Sequence, residues 1–370
     1  MSARTRGSTA VAVALTATLT AATAALLTGC GPTSGARAVS TPPAATGAPG
    51  GGGSSAPAGG ATPSATTAPS TSATTTPAGG STPTGTATTA GSTRAPVLNG
   101  TAHSGLTISD GTRYVVMNGT RVDFGTAVRD LAWSPDGRKA AFIDGAGNLA
   151  VADPNGTGRV TVARNPGGQN WSHPTWQVTG YDTIPELSRR NNIFFAVRRN
   201  GVSELDSVPA NAVSGTPKKL GLGGEPGDGA QRIPQTGNAW PSAGGTHGGA
   251  VYANSGTGEV FIRDDYVRQQ GSPLTHGSQP AMSHADGEEI VFVRSAGGHD
   301  HLFLETPTDT GPVFRDLTPH ATTDYTEPAW SPDGSTIAAR TPAGIVTLST
   351  KGSAAPELVS TYTGLPSYRG

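Results

Sequence analysis

The chain has 370 residues, a formal charge of −1, 53 glycines, 30 prolines and a single cysteine. All 26 acidic residues follow residue 95, while Arg4, Arg6, Arg37 and Arg94 precede it, so residues 96–370 carry 21 basic against 26 acidic groups, a net charge of −5. A mildly acidic domain without basic runs excludes a nucleic-acid partner, and one cysteine excludes an intrachain disulfide and a thiolate metal cluster.

Three compositional regions follow in chain order. Residues 1–29 begin with Arg4 and Arg6 and continue into an apolar run over 11–27, broken by threonines. That run is short for a bilayer span, which needs about 20 residues. It ends in Leu27-Thr28-Gly29-Cys30, which resembles the lipobox of bacterial lipoproteins. The resemblance implies that Cys30 becomes the N-terminus and carries diacylglycerol. Ordinary signal-peptide cleavage beside an incidental cysteine is the alternative. Each buried CH₂ of an acyl chain adds about 0.8 kcal/mol, so two or three chains would hold the protein permanently on the extracytoplasmic face of the membrane.

Residues 30–95 are Cys30 followed by a tract of almost only Ala, Gly, Pro, Ser and Thr. Nothing in it offsets the entropy of ordering, so a disordered linker is expected. As a flexible coil it would average roughly 45 Å end to end. It reads as a tether into the cell wall or an inert spacer, and its Ser, Thr and Pro content would suit O-glycosylation.

Residues 96–370 contain Trp133-Ser134-Pro135-Asp136-Gly137 and, far downstream, Trp330-Ser331-Pro332-Asp333-Gly334. Alignment on the aromatic adds Trp176, Trp240 and Met282, at intervals of 43, 64, 42 and 48 residues. The turn chemistry is mechanistic: Pro sets φ, Asp caps its own backbone and Gly accepts positive φ. After each turn come two apolar strands joined by a hairpin. These are 139–143 with 148–152, 193–197 with 202–208, 249–253 with 259–262, 289–293 with 301–304, and 336–339 with 345–348. A fourth strand is marked by Leu220, Leu274, Leu317 and Leu358, and the second repeat carries an insertion over 181–190. Four strands per period of roughly 40–50 residues is the pattern of propeller blades.

The ends supply a sixth blade. Residues 358–370 mimic 274–287, with Pro366-Ser367-Tyr368 standing for Pro280-Ala281-Met282. Residues 105–124 hold three strands joined at Asp110-Gly111 and Asn118-Gly119, both strong hairpin signals. One C-terminal strand with three N-terminal strands would close the ring and remove a free edge.

These residues resemble the six-bladed TolB-type propeller, whose repeat reads roughly Pro-x-Trp-Ser-Pro-Asp-Gly-x-x-Ile-Ala-Phe. The match covers about 105–370 and is strongest over 327–338. The resemblance implies an all-β fold of four-stranded antiparallel blades used for envelope interactions. In the family's namesake an α/β domain precedes the propeller, and the protein docks onto a peptidoglycan-associated lipoprotein. Here linker and anchor stand in that domain's place.

Trp133, Trp176, Trp240 and Trp330 are expected to pack between blades, and Asp136 and Asp333 to hold the turns. The position three before each repeat aromatic should lie at the mouth of the central channel. Its occupants are Asp130, His173, Gly237, Gln279, Glu327 and Leu365. Carboxylates facing an imidazole could bind a metal ion, a sugar or a partner's cationic group; alternatively they cap turns and line a wet channel. His299-Asp300-His301 places two histidines on one strand face without a third ligand, and 153–158 resembles a calcium loop lacking its distal carboxylate. No catalytic elbow, zinc helix or phosphate loop is present, so no catalytic residue, cofactor or metal is assigned. The expected protein is a monomeric, membrane-anchored interaction module for an envelope protein or a cell-wall glycan. A glycoside hydrolase or lyase using acids at the channel mouth is the alternative.

Overall fold

The computed structural model describes residues 98–179, 189–223, 232–245, 247–264, 271–285, 288–352 and 354–370. Cys30, the linker and most of the insertion at 181–190 lie outside the described residues. Every regular element described is a β-strand, and the strands form six four-stranded antiparallel sheets.

β1 (Leu106–Ser109), β2 (Tyr114–Met117) and β3 (Thr120–Asp123) belong to blade 6, and blade 1 is β4 (Arg129–Trp133), β5 (Ala140–Ile143), β6 (Leu149–Ala152) and β7 (Val160–Ala163). Blade 2 is β8 (Gln169–Val178), β9 (Asn191–Arg199), β10 (Val202–Pro209) and β11 (Lys218–Lys219). Blade 3 is β12 (Asn238–Gly244), β13 (Gly249–Asn254), β14 (Glu259–Arg263) and β15 (Gly271–His276). Blade 4 is β16 (Ser278–Met282), β17 (Ile290–Ala296), β18 (His299–Thr306) and β19 (Val313–Asp316). Blade 5 is β20 (Thr326–Trp330), β21 (Thr336–Thr341), β22 (Gly344–Ser349) and β23 (Glu357–Ser360). Blade 6 joins β24 (Leu365–Tyr368) to β1 (Leu106–Ser109), β2 (Tyr114–Met117) and β3 (Thr120–Asp123). The first strand of each blade packs on that of the next, and β24 returns onto β4, closing the ring.

The clasp is antiparallel, pairing Leu106 with Tyr368 and Ser109 with Leu365. The Thr107 hydroxyl donates to the Ser367 carbonyl at 2.9 Å, and Arg369 donates from Nε to the Gly137 carbonyl at 2.8 Å. These bonds tie the C-terminal strand to blades 6 and 1 and leave no open sheet edge between them.

The middle strands are continuously apolar because neighbouring blades cover both faces. Phe142, Phe195, Phe261 and Phe292, one from each of blades 1 to 4, are all 0% exposed. Between blades sit the repeat aromatics. Trp133, Trp176 and Trp330 are buried, and each indole N–H reaches back to the preceding blade: to Thr107 Oγ1 at 2.9 Å, to the Ala132 carbonyl at 3.1 Å and to the Ala281 carbonyl at 2.9 Å. A buried indole N–H needs such a partner, so the acceptor fixes the blade spacing.

The turns after Trp133 and Trp330 share one hydrogen-bond pattern. The Ser hydroxyl donates to the Asp carboxylate at 2.6 Å in both, and the Gly N–H closes onto the Ser carbonyl. Gly137 and Gly334 sit at φ +64° and +69°, which only glycine adopts without strain. Hydrogen bonds from Ser331, Ser335 and the Ser335 N–H hold the Asp333 carboxyl down to about 2.

Candidate functional site

Five of the six inner strands carry a β-bulge at the same level, and β24 of blade 6 pairs with β1 without a break. In blades 1, 2, 4 and 5 the register breaks across Asp130, His173, Gln279 and Glu327. Those four residues stand at φ +54°, +50°, +47° and +52°. A non-glycine residue there costs about 1–3 kcal/mol, and such strain collects at functional sites. The bulge also turns its side chain toward the axis.

Blade 3 departs from the sequence-based alignment. Its break falls between Ala239 and Ser242, and the left-handed residue is Trp240, at φ +50°. Trp240 is therefore the equivalent of Asp130 and Glu327, not of Trp133 and Trp330. The inter-blade position is taken by Ala243, 1% exposed and packed with Phe194 and Tyr252. Gly237 belongs outside the ring. The proline marks the register: Trp240-Pro241-Ser242-Ala243 matches His173-Pro174-Thr175-Trp176, Gln279-Pro280-Ala281-Met282 and Glu327-Pro328-Ala329-Trp330. A tryptophan is the strongest visual marker in the repeat, but in blades 2 to 5 the x-Pro step marks the bulge, whereas blade 1 bulges at Asp130-Leu131 without a proline.

The corrected ring is Asp130, His173, Trp240, Gln279, Glu327 and Leu365, and all six line one axial cavity of about 170 Å³. Two members link adjacent blades. Asp130 Oδ2 accepts the His173 N–H at 3.2 Å, and Gln279 Oε1 accepts the Glu327 N–H at 2.7 Å. The contacts to the Glu327 carboxylate cross the channel. His173 Nε2 lies 3.4 Å from Glu327 Oε2, although blades 2 and 5 face each other across the ring. The Trp240 indole N–H donates to Glu327 Oε1 at 3.3 Å, and its ring meets the His173 imidazole edge-on, with centroids 5.9 Å apart.

Both pKa shifts in the His173–Glu327 pair favour its charged forms. Burial pushes the His173 imidazole down, but the Glu327 hydrogen bond and charge, helped by Asp130, outweigh burial and hold its pKa above the ordinary value. Burial likewise pushes the Glu327 carboxyl up, but His173, the Trp240 N–H and the charge of Arg340 take it below its ordinary value. His173 Nδ1 is buried without a hydrogen-bond partner. An ionised Glu327 can accept hydrogen bonds and attract a cation, but it cannot donate a proton as a general acid.

The remaining sequence candidates form no site. His301 Nδ1 is 2.9 Å from Asp316 and His299 Nδ1 is 3.2 Å from Asp324, so the two histidines serve separate carboxylates. At 153–158 the Gly156 N–H closes onto the Asp153 carbonyl, which makes a turn. Among the described residues no three His, Cys, Asp or Glu side chains converge to hold a metal.

No protein-family model matches the chain, and no curated protein matches it. Solved structures do. TolB from Acinetobacter baumannii superposes with a TM-score of 0.50 at 16% identity, over 71% of this chain and 65% of TolB. The fold is a TolB-like six-bladed β-propeller. This chain thus spans less than two thirds of TolB, and the likeness is one of architecture. Regucalcin from Agrobacterium tumefaciens, a calcium-binding protein, aligns with a TM-score of 0.44 at 12% identity, over 72% of this chain and 90% of its own. An oligogalacturonate lyase in complex with manganese aligns with a TM-score of 0.39 at 13% identity, over 67% and 70%.

Proposed function

We propose that the protein is a lipid-anchored module of the cell envelope that docks a cationic group of a protein partner in the axial pocket. The observation that carries the reading is the ring itself: Glu327, Trp240 and His173 meet across the channel on strained bulges from three blades. A guanidinium or ammonium entering there would find the Glu327 and Asp130 carboxylates and the half-buried face of Trp240, a setting for charge pairing and cation–π attraction. The cavity of about 170 Å³ is below the roughly 300–1,000 Å³ of sites that enclose whole small molecules. It suits one protruding side chain, and the rest of a partner would lie on the propeller face. The ionised state of Glu327 favours binding over acid catalysis.

The test is titration of the full-length chain with N-acetyl-argininamide and, as a neutral control, N-acetyl-glutaminamide. Saturable binding of the cation is expected, lost in Glu327→Gln and weakened in Trp240→Ala, with both variants melting within a few degrees of the parent. Equal binding of the neutral control, or none of either, sinks the docking reading. The anchor is tested separately: Cys30→Ala should move the protein from the membrane to the soluble fraction, and a variant that still pellets with membranes rejects it.

A further inference from the structure

Beside the axial pocket, and sharing Asp130 and Leu365 with it, lies a second cleft of about 230 Å³. Four charged side chains line it: Asp110 after β1, Arg129 and Asp130 on β4, and Arg340 on β21. Opposite charges this close usually pair. Among the described residues, none of these four belongs to an ion pair. Asp110 Oδ1 takes the N–H and hydroxyl of Thr112, and Asp130 Oδ2 takes the His173 N–H, which leaves the other oxygen of each carboxylate. The Arg340 guanidinium makes one long hydrogen bond, to the Thr326 hydroxyl at 3.4 Å, and its charge acts on Glu327 without a direct ion pair. Between them sits Ser109, 4% exposed, whose hydroxyl is buried, lines the cleft and has no hydrogen-bond partner. A buried hydroxyl without a partner costs about 1–3 kcal/mol, so a ligand that bonds it recovers that cost.

The remaining walls are Gly111, Thr363, Gly364 and Leu365. A Cβ at Gly364 would run into the Ser109 carbonyl, so the wall beside the orphan hydroxyl must stay bare. Two cations, two anions, one free hydroxyl and a small apolar wall make a cleft that neither a simple anion nor a simple cation satisfies. An anion would leave the two aspartates facing it, and a cation would leave the two arginines.

We propose that this cleft binds a small α-amino acid in its zwitterionic form. The guanidiniums of Arg129 and Arg340 and the Ser109 hydroxyl hold the α-carboxylate. The free oxygens of Asp130 and Asp110 hold the α-ammonium, and a short side chain lies against Leu365. Arginine suits the carboxylate because its donor fork matches two oxygens. The inference stands on a separate cleft from the docking reading, although Asp130 lines both and the Arg340 charge acts on Glu327.

Calorimetric titration of the full-length chain with alanine, N-acetylalanine and alaninamide tests it. Alanine is expected to bind at least about tenfold more tightly than either blocked form, a difference of about 1.4 kcal/mol. Arg129→Gln and Arg340→Gln should each weaken alanine binding about tenfold or more. Arg340→Lys, which keeps the charge, should lose less, and Ser109→Ala should lose a few fold. Asp130→Asn should abolish the preference for alanine over N-acetylalanine. Melting curves identify any variant that fails to fold. Undetectable alanine binding by the parent overturns the proposal, as does N-acetylalanine binding as well as alanine, or alanine affinity unchanged in both Arg→Gln variants. Loss of argininamide binding with alanine binding intact would overturn only the docking reading.

Discussion

The inner strands of blades 5 and 3 follow one backbone path with opposite side-chain assignments. Blade 5 puts a glutamate on the bulge and a tryptophan between blades; blade 3 puts a tryptophan on the bulge and an alanine between blades. In blade 5 Trp330 is 6% exposed and its N–H ends on the Ala281 carbonyl. In blade 3 the same level is filled from the sides by Phe194, Tyr252 and Phe261 around Ala243. The inter-blade position is therefore a volume to be filled, which either the anchor or its neighbours can supply. The bulge position is different: its side chain faces the channel, so packing leaves it free to vary and to carry chemistry.

Substitutions can break or sharpen this contrast. The largest effect is expected from Trp330→Ala, which removes a buried indole and its hydrogen bond and should destabilise by about 3–5 kcal/mol. Denaturant melts measure this, and a loss under about 1 kcal/mol would show that the anchor is dispensable. Next comes Ala243→Trp, which restores the sequence pattern of blade 5 in blade 3. Because the space is already filled, it should cost about 1–3 kcal/mol through overpacking. A gain in stability would mean that blade 3 holds a void where an anchor fits. Smaller again is Trp240→Ala, expected to cost less than about 1 kcal/mol because it vacates a channel rather than a core. A cost equal to that of Trp330→Ala would return Trp240 to a structural role.

The smallest effect is a pH dependence of the pair that spans the ring. His173 is raised above 6.5 in the fold, so its contribution is complete below pH 6.5 and is lost as pH rises through the raised value. Glu327 is lowered below 4.5, so its contribution is complete above pH 4.5 and is lost as pH falls through the lowered value. The stability difference between the parent and His173→Gln should thus be greatest between pH 4.5 and 6.5 and shrink on both sides. A difference that is flat with pH would mean that the pair is not ionised.

Much of this architecture was legible in the chain. The Trp-Ser-Pro-Asp-Gly turns and the strands after them fall where the repeat put them, because turn chemistry and apolar runs are local. The mixed sixth blade was also readable, since Pro366-Ser367-Tyr368 repeats an inner-strand pattern that lacks its own second, third and fourth strands. The site was only partly legible. Asp130, His173, Gln279, Glu327 and Leu365 stand on one ring, but alignment on the aromatic puts Trp240 in the wrong register. An anchor tryptophan and a channel tryptophan look alike in sequence, and only the x-Pro step three residues before Ala243 separates them.

From sequence alone come the strand count, the blade period, the closure and five of the six ring positions, because each rests on residues close together in the chain or on an exact internal repeat. Tertiary structure alone decided that His173 and Glu327, 154 residues apart, meet across the channel. It also decided that Trp240 joins them and that Arg129, Arg340, Asp110 and Asp130 share a cleft without pairing. Those facts depend on how far each bulge turns its side chain toward the axis and on which blades face one another, and no local pattern encodes either.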